Sequence, residues 1–265
     1  MDKVKDDAFY ITDDGTRLSM ELERPEGAGK RPLAILLHGF SSCKEKIHTI
    51  QAAKAMRDAG FATIRMDLYG HGESGGEFRK HTLQKWISNT QAAIRYAEGL
   101  DFVTEIYLSG HSQGGLVAAL VAGMMPEKIS GLILRAPAFM IPQGARDGCL
   151  LGEAFDPAHI PDTIPVIKGL TLDGEYIRTA QAVDAEAAMD RYPGPVLILH
   201  GDEDDVVPAE EAEKAAKRYA DCELHIIRGE THHFDRHPET MEDLIRAWCA
   251  CRTGCSNPVP DAGKR

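Results

Sequence analysis

Residues 105–125 read EIYLSGHSQGGLVAALVAGMM, and the order of residue types in this stretch decides how the whole chain is read. EIYLS has the length and apolar, β-favouring character of a buried strand. GLVAALVAGMM is apolar on every side, as a helix inside a layered core must be. Between them stands only Gly110-His111-Ser112-Gln113-Gly114, so strand, sharp turn and helix follow one another directly. Such a turn strains the serine's backbone and crosses the helix over the strand, so the flanking residues must be small; Gly110, Gly114 and Gly115 meet that need. The hydroxyl also lies at a helix N-terminus, whose dipole favours developing negative charge. Ser112 is therefore the candidate nucleophile. A second G-x-S-x-G, Gly72-Glu73-Ser74-Gly75-Gly76, has no strand directly before it and no helix directly after it, which makes Ser74 a turn residue.

Working outward, runs like EIYLS recur: LAILLH (33–38), ATIRM (62–66), GLILR (131–135), PVLILH (195–200) and ELHII (223–227). Most are continuous rather than alternating, which suits strands covered on both faces of a parallel sheet. Helical patterns lie between them at 47–60, 81–100, 208–220 and 238–251. This alternation predicts an α/β fold: a mostly parallel, twisted sheet of about eight strands, flanked by helices and joined by right-handed crossovers. FYIT (9–12), the DDG turn (13–15) and RLSMELER (17–24) read as an antiparallel hairpin leading into it.

Residues 136–192 break the rhythm. They are too many for a connection, hold prolines at 137, 142, 157, 161 and 165, and contain one helical pattern, 175–190. Their apolar residues, among them Phe139, Met140, Ile141, Phe155 and Tyr176, need a surface to cover, and the mouth of the sheet is the one available. The expected organisation is thus a core in two parts, 1–135 and 193–251, a small cap inserted at 136–192, and a flexible tail at 252–265.

The chain has 265 residues with a formal charge of −11, 43% hydrophobic and 27% charged. That balance is globular and large enough to bury a core without disulfide or metal staples. The net acidity argues against nucleic acid and anionic membranes as partners. The N-terminus, MDKVKDDAFYITDDGT, lacks the apolar run of a signal peptide, and the longest apolar stretch, 116–125, is too short to span a bilayer. A cytoplasmic protein is expected, with a homodimer left open. The six cysteines read as free thiols. Cys249, Cys251 and Cys255 follow no standard zinc spacing, so no metal is expected.

An activated serine needs two N–H groups aimed at the developing oxyanion, a base, and an acid to orient the base. One N–H is that of Gln113, directly after Ser112. The other is that of Phe40 in His38-Gly39-Phe40, where the strand at 33–38 ends. Acid and base are sought, in that order, beyond the next strands. The first of these loops holds Asp202, Glu203, Asp204 and Asp205, and the second holds Glu230, His232 and His233. Spacing alone leaves Asp202, Glu203, Asp204 and Asp205 open as acid, and His232 and His233 open as base.

Taken together, Ser112, HGF (38–40), DLYGHGES (67–74), HGDEDDVVP (200–208) and GETHHF (229–234) resemble serine esterases of the α/β-hydrolase superfamily over nearly the whole chain. The resemblance implies Asp204 as acid, His232 as base, and a structural role for 67–74 in which His71 fixes a loop. Within the expected cap, APA (136–138), DPAHIPD (156–162) and LTLDGEYIRTAQ (170–181) resemble bacterial feruloyl and other cinnamoyl esterases, which cleave esters of ferulate, caffeate and p-coumarate. An aromatic ester substrate is implied, with Tyr176 near its phenol and with Gln143 and His111 as further substrate-binding candidates. No cofactor is implied. The likeness breaks at FMIPQGARDGCLLG (139–152), which is more apolar than in some relatives and leaves Gln143 and Asp147 as the polar substitutes. That break shifts the expected preference toward less hydroxylated or aliphatic acyl groups. The alternatives are a general carboxylesterase or monoacylglycerol-lipase-like hydrolase and a non-catalytic hydrolase-fold binding protein. The last would typically lack a triad member, whereas candidates for all three are present.

Overall fold

The computed structural model describes residues 4–5 and 8–253. Val4–Lys5 (β1) and Phe9–Asp13 (β2) both pair antiparallel with Thr16–Arg24 (β3). The β2–β3 turn is made by Asp14 and Gly15, both at positive φ (45° and 71°), the tight hairpin turn whose twist matches that of its strands. The remaining sheet strands are Arg31–Leu37 (β4), Ala62–Met66 (β5), Val103–His111 (β6), Gly131–Arg135 (β7), Val196–Gly201 (β8) and Cys222–Ile227 (β9). Among the described residues the sheet runs β1-β3-β5-β4-β6-β7-β8-β9, with β2 beside β3. From β5 to β9 every pairing is parallel. The expected α/β architecture of about eight strands is the one observed.

The helices are Ile47–Asp58 (α1), Leu83–Glu98 (α2), Gln113–Met124 (α3), Ile141–Asp147 (α4), Glu175–Gln181 (α5), Ala185–Arg191 (α6), Ala209–Ala216 (α7) and Pro238–Thr253 (α8). They divide the core into two apolar clusters, one on each face of the sheet. One holds α2, α3 and α7; the other holds Ala52 and Met56 of α1 with Met241, Ile245 and Trp248 of α8. With both faces covered, β5, β7 and β8 are buried along their whole length, which is why they read as unbroken apolar runs.

Segment 136–192 contains α4, α5, α6 and two small antiparallel pairs, Cys149–Leu150 with Glu153–Ala154 and Thr163–Val166 with Leu170–Asp173. Ile141, Leu150, Ile164, Leu172, Tyr176 and Met189 join the α2–α3 cluster. Contact is closest where α6 crosses α3: a Cβ on Gly123 would stand 2.4 Å from the Ala188 carbonyl oxygen. The single helix read at 175–190 is in fact two. Asp184 takes an extended conformation and its carboxylate accepts the Ala187 N–H (2.9 Å), capping α6; aspartate is a strong N-cap and interrupts the pattern there. α8 continues to Thr253, two residues into the stretch read as tail. Residues 254–265, Cys255 among them, lie outside the described residues.

Candidate active site

The turn after β6 has the geometry that its residues demand. Ser112 sits at φ 55°, ψ −122°, directly before α3, a conformation that costs on the order of 1–3 kcal/mol and persists only where surrounding bonds impose it. Those bonds are present. The Ser112 N–H donates to the Arg135 carbonyl (2.9 Å), and its own carbonyl accepts from Gly115, Leu116 and Ala138. Crossing of helix over strand leaves no space at Gly110, where a Cβ would stand 2.2 Å from the Gly114 oxygen. Gln113 is the first residue of α3, so its N–H has no carbonyl partner within the helix.

The loop after β4 closes on this turn. A Cβ on Gly39 would lie 3.0 Å from Ser112 Cβ and 3.1 Å from His111 Nδ1. His38 holds the loop: its Nε2 accepts the Leu68 N–H (3.0 Å), which leaves the hydrogen on Nδ1 to donate to the Gly39 carbonyl (2.8 Å). Burial, with the neighbouring His71, pushes the His38 pKa down to about 3, so the ring is neutral. Phe40 follows Gly39 directly in this loop, which closes on the strand–helix turn, or elbow, at Ser112.

Of the carboxylates after β8, Asp204 is the one that meets a histidine. His232 Nδ1 donates to its Oδ2 (2.7 Å), while Oδ1 accepts the N–H groups of Val206 (2.9 Å) and Val207 (2.8 Å). His200 Nε2, shared with the Val207 carbonyl, lies 3.1 Å from Oδ2. Burial opposes ionisation of Asp204, yet the bonds from His200 and His232 hold its pKa well below the usual carboxylate range. Asp202, Asp205 and His233 are exposed, and Asp202 accepts the Gly229 N–H (2.6 Å). The His232 loop is itself organised by Glu230, fully buried, which accepts the N–H groups of Thr231, Arg236 and His237.

A family described as Serine aminopeptidase, S33, matches residues 29–160. The structure of Est1E from Butyrivibrio proteoclasticus with ferulic acid bound is 43% identical, with TM-score 0.91, over 94% of this chain and 100% of that one. The chain belongs to the α/β-hydrolase superfamily. More distant likenesses are to a thermostable monoacylglycerol lipase of a Bacillus species, 26% identical over 77% of this chain and 83% of that protein, and to human protein ABHD12B. The latter is 26% identical over 69% of this chain but only 48% of its own length, so the chain spans about half of that relative.

In this α/β-hydrolase the three substrate-binding candidates fall in different places. Tyr176 of α5 is fully buried and its hydroxyl donates to Gln113 Oε1 (2.7 Å); burial pushes its pKa up. Its oxygen keeps acceptor capacity. Gln143 is exposed on α4, bonded to Asp147 (2.7 Å) and Arg146 (3.3 Å). It lines a groove of about 620 Å³ with Arg146, Gln181, Lys214 and Arg218, and none of Ser112, Asp204 and His232 lines that groove. His111 is buried and its Nε2 donates to the main-chain carbonyl of His232 (2.8 Å), so it braces the His232 loop. Ser74 ties its turn to the sheet: its hydroxyl donates to the Asp67 carbonyl (2.6 Å) and accepts the N–H of Ser19 in β3 (2.8 Å). His71 Nδ1 bonds the Tyr69 carbonyl (3.0 Å), within the loop it was expected to fix.

Donor nitrogens of His48, His111 and His233 come within 4.8 Å of one another. The guanidinium of Arg135, 3.1 Å from His48 Nδ1, opposes a cation there. Three partners escaped the sequence reading: His200, His48 and Arg135. Arg135 ends β7 and His200 is the last but one residue of β8; the only local signal was a polar residue at the close of an apolar run.

Proposed function

We propose that this α/β-hydrolase is a serine esterase that cleaves hydroxycinnamate esters through an acyl-enzyme. The observation that carries the reading is the Asp204–His232 hydrogen bond of 2.7 Å, set against a strained Ser112 at the tip of β6. Likeness to a structure holding ferulic acid supports the acyl class. His232 Nε2 takes the Ser112 proton as Oγ bonds to the ester carbonyl carbon. Asp204 keeps the hydrogen on His232 Nδ1 and stabilises the imidazolium. The Phe40 and Gln113 N–H groups receive the oxyanion. When the intermediate collapses, the C–O bond to the alcohol breaks and His232 returns its proton to the leaving oxygen. Water then attacks the acyl-enzyme by the same route and releases the acid. No step needs a metal or organic cofactor. Residues 136–192 act as the cap that walls the acyl site, and Tyr176 accepts the ring hydroxyl while it holds Gln113.

Ser112→Ala tests the nucleophile: the folded variant is expected to lose esterase activity, and full activity would refute the assignment. Rates on methyl ferulate, chlorogenate, p-nitrophenyl acetate and a monoacylglycerol test the substrate class. The general esterase or monoacylglycerol lipase reading draws on the likeness to the Bacillus lipase and on the apolar Phe139-Met140-Ile141. It predicts that the monoacylglycerol outpaces methyl ferulate. Among the described residues no helix is long and apolar enough to cross a membrane.

A further inference from the structure

Arg135 ends β7 in register with His111 of β6, and its carbonyl receives the Ser112 N–H. Its side chain is fully buried, and no carboxylate pairs with it among the described residues. Nη1 donates to the carbonyl (2.9 Å) and to Nδ1 (3.1 Å) of His48, in the first turn of α1, while Nε and Nη2 have no partner. A lone buried guanidinium is costly to keep and is not explained by core packing.

Its hydrogen-bond polarity is informative. A guanidinium only donates, so His48 must present a bare Nδ1 and carry its hydrogen on Nε2. A carbonyl only accepts, so His111, bonded through Nε2 to the His232 oxygen, must carry its hydrogen there and leave Nδ1 bare. That Nδ1 is buried without a partner and flanks Gly39 on the side of Ser112. The rings form a column: His48 to His111 is 4.3 Å between centroids, and His111 to His232 is 4.7 Å. The column joins α1, which follows the Phe40 loop, to the elbow strand and the base loop.

We propose that Arg135 is a positioning residue for the reaction: it sets the tautomer of His48 and keeps the His48–His111 pair neutral, so that His111 holds the main chain of His232 by one fixed hydrogen bond and brings no proton beside Ser112. The proposal rests on the reading of His232 as the base. The groups set against the pair are Arg135 of β7, Lys46 before α1, and His232 and His233 of the loop after β9, all of them bases. Burial and then Arg135 push the His48 pKa down to about 2, and burial with His48, His232 and Arg135 pushes that of His111 well below its ordinary value. Burial lowers Arg135 itself to about 9, which leaves it charged at neutral pH.

The test combines histidine-ring ¹⁵N NMR with the pH profile of kcat/KM for wild type, Arg135→Met and Arg135→Lys, using the full chain. In the wild type, His48 and His111 are expected neutral with hydrogen on Nε2 throughout, and the acid limb of kcat/KM falls with a single ionisation. In Arg135→Met the pair is expected to take up its first proton at higher pH than in the wild type, and the added ionisation steepens the acid limb from about tenfold toward about a hundredfold per pH unit. Arg135→Lys keeps the single ionisation. A purely structural role would change the melting temperature and leave the limb's slope alone. The proposal is overturned by hydrogen on Nδ1 of His48, by protonation of either ring near pH 6 in the wild type, or by an unaltered slope in Arg135→Met. Should that variant not fold, the wild-type spectra and Arg135→Lys decide. The same spectra follow His232: an acid limb that does not track its titration refutes the base assignment, whereas the tautomers of His48 and His111 are read independently.

Discussion

Replacing Asp204 by Asn changes little in volume and reverses one hydrogen-bonding edge. The oxygen of the amide can keep the Val206 and Val207 N–H groups that Oδ1 now accepts (2.9 and 2.8 Å). The NH₂ then replaces Oδ2 and faces two donors, His232 Nδ1 at 2.7 Å and His200 Nε2 at 3.1 Å. His232 answers by moving its hydrogen to Nε2, the nitrogen that must accept the Ser112 proton. A triad histidine in the wrong tautomer costs about ten-thousandfold in kcat, roughly 5.4 kcal/mol of transition-state stabilisation. The donor left facing His200 costs about 1–3 kcal/mol of stability. The assay is kcat/KM on methyl ferulate and p-nitrophenyl acetate, with a thermal melt to show that the variant is folded. Asp202→Asn and Asp205→Asn, both at exposed positions, are expected to stay within a few-fold of wild type. Asp204→Asn retaining a tenth or more of wild-type activity, or Asp205→Asn losing as much as Asp204→Asn, would refute the reasoning.

Acid should erase the stability difference between these proteins. The folded-state pKa of Asp204 is depressed, so its contribution is full above the unfolded carboxyl value of about 3.9 and is lost as pH falls toward the folded value. Melting temperatures of wild type and Asp204→Asn should therefore begin to converge as pH falls below about 4 and go on converging toward the folded value; a gap that does not narrow as pH falls contradicts the assignment. Tyr176→Phe removes the bond to Gln113 and should cost about 1 kcal/mol of stability. It should also reduce the preference for methyl p-coumarate over methyl cinnamate about three- to tenfold, read as a ratio of kcat/KM values; an unchanged ratio would remove Tyr176 from phenol recognition. Gly110→Ala would place a methyl 2.2 Å from the Gly114 oxygen and should destabilise the fold by more than about 3 kcal/mol, measured by urea unfolding. A melt within a degree of wild type would refute the crossing geometry.

The elbow was legible because its requirements are local. A strand, a serine and three glycines within a few residues leave the chain one way to turn, and the strands read from 62–66 and 131–135 occupy those residues. The acid was not legible from spacing. Asp202, Asp204 and Asp205 stand in one short loop, and the choice among them depends on how that loop offers the Val206 and Val207 N–H groups to one carboxylate. Gln143 looked like a substrate ligand because polar residues were scarce in its stretch, but the turn of α4 aims it at Asp147 and Arg146. The split between α5 and α6 was written in Asp184, whose capping tendency was outvoted by the apolar period on both sides.

Residue order alone determined the layered sheet, the long segment between β7 and β8 and the serine at the strand–helix turn, because periodicity and glycine spacing act over a few residues. Only tertiary structure decided which acid meets His232, and that a buried Arg135 lies against His48, 87 residues away in the chain. Those pairings join loops at the ends of different strands. Their energies come from removal of charge and hydrogen-bonding groups from water, a property of the folded surroundings that no local pattern encodes.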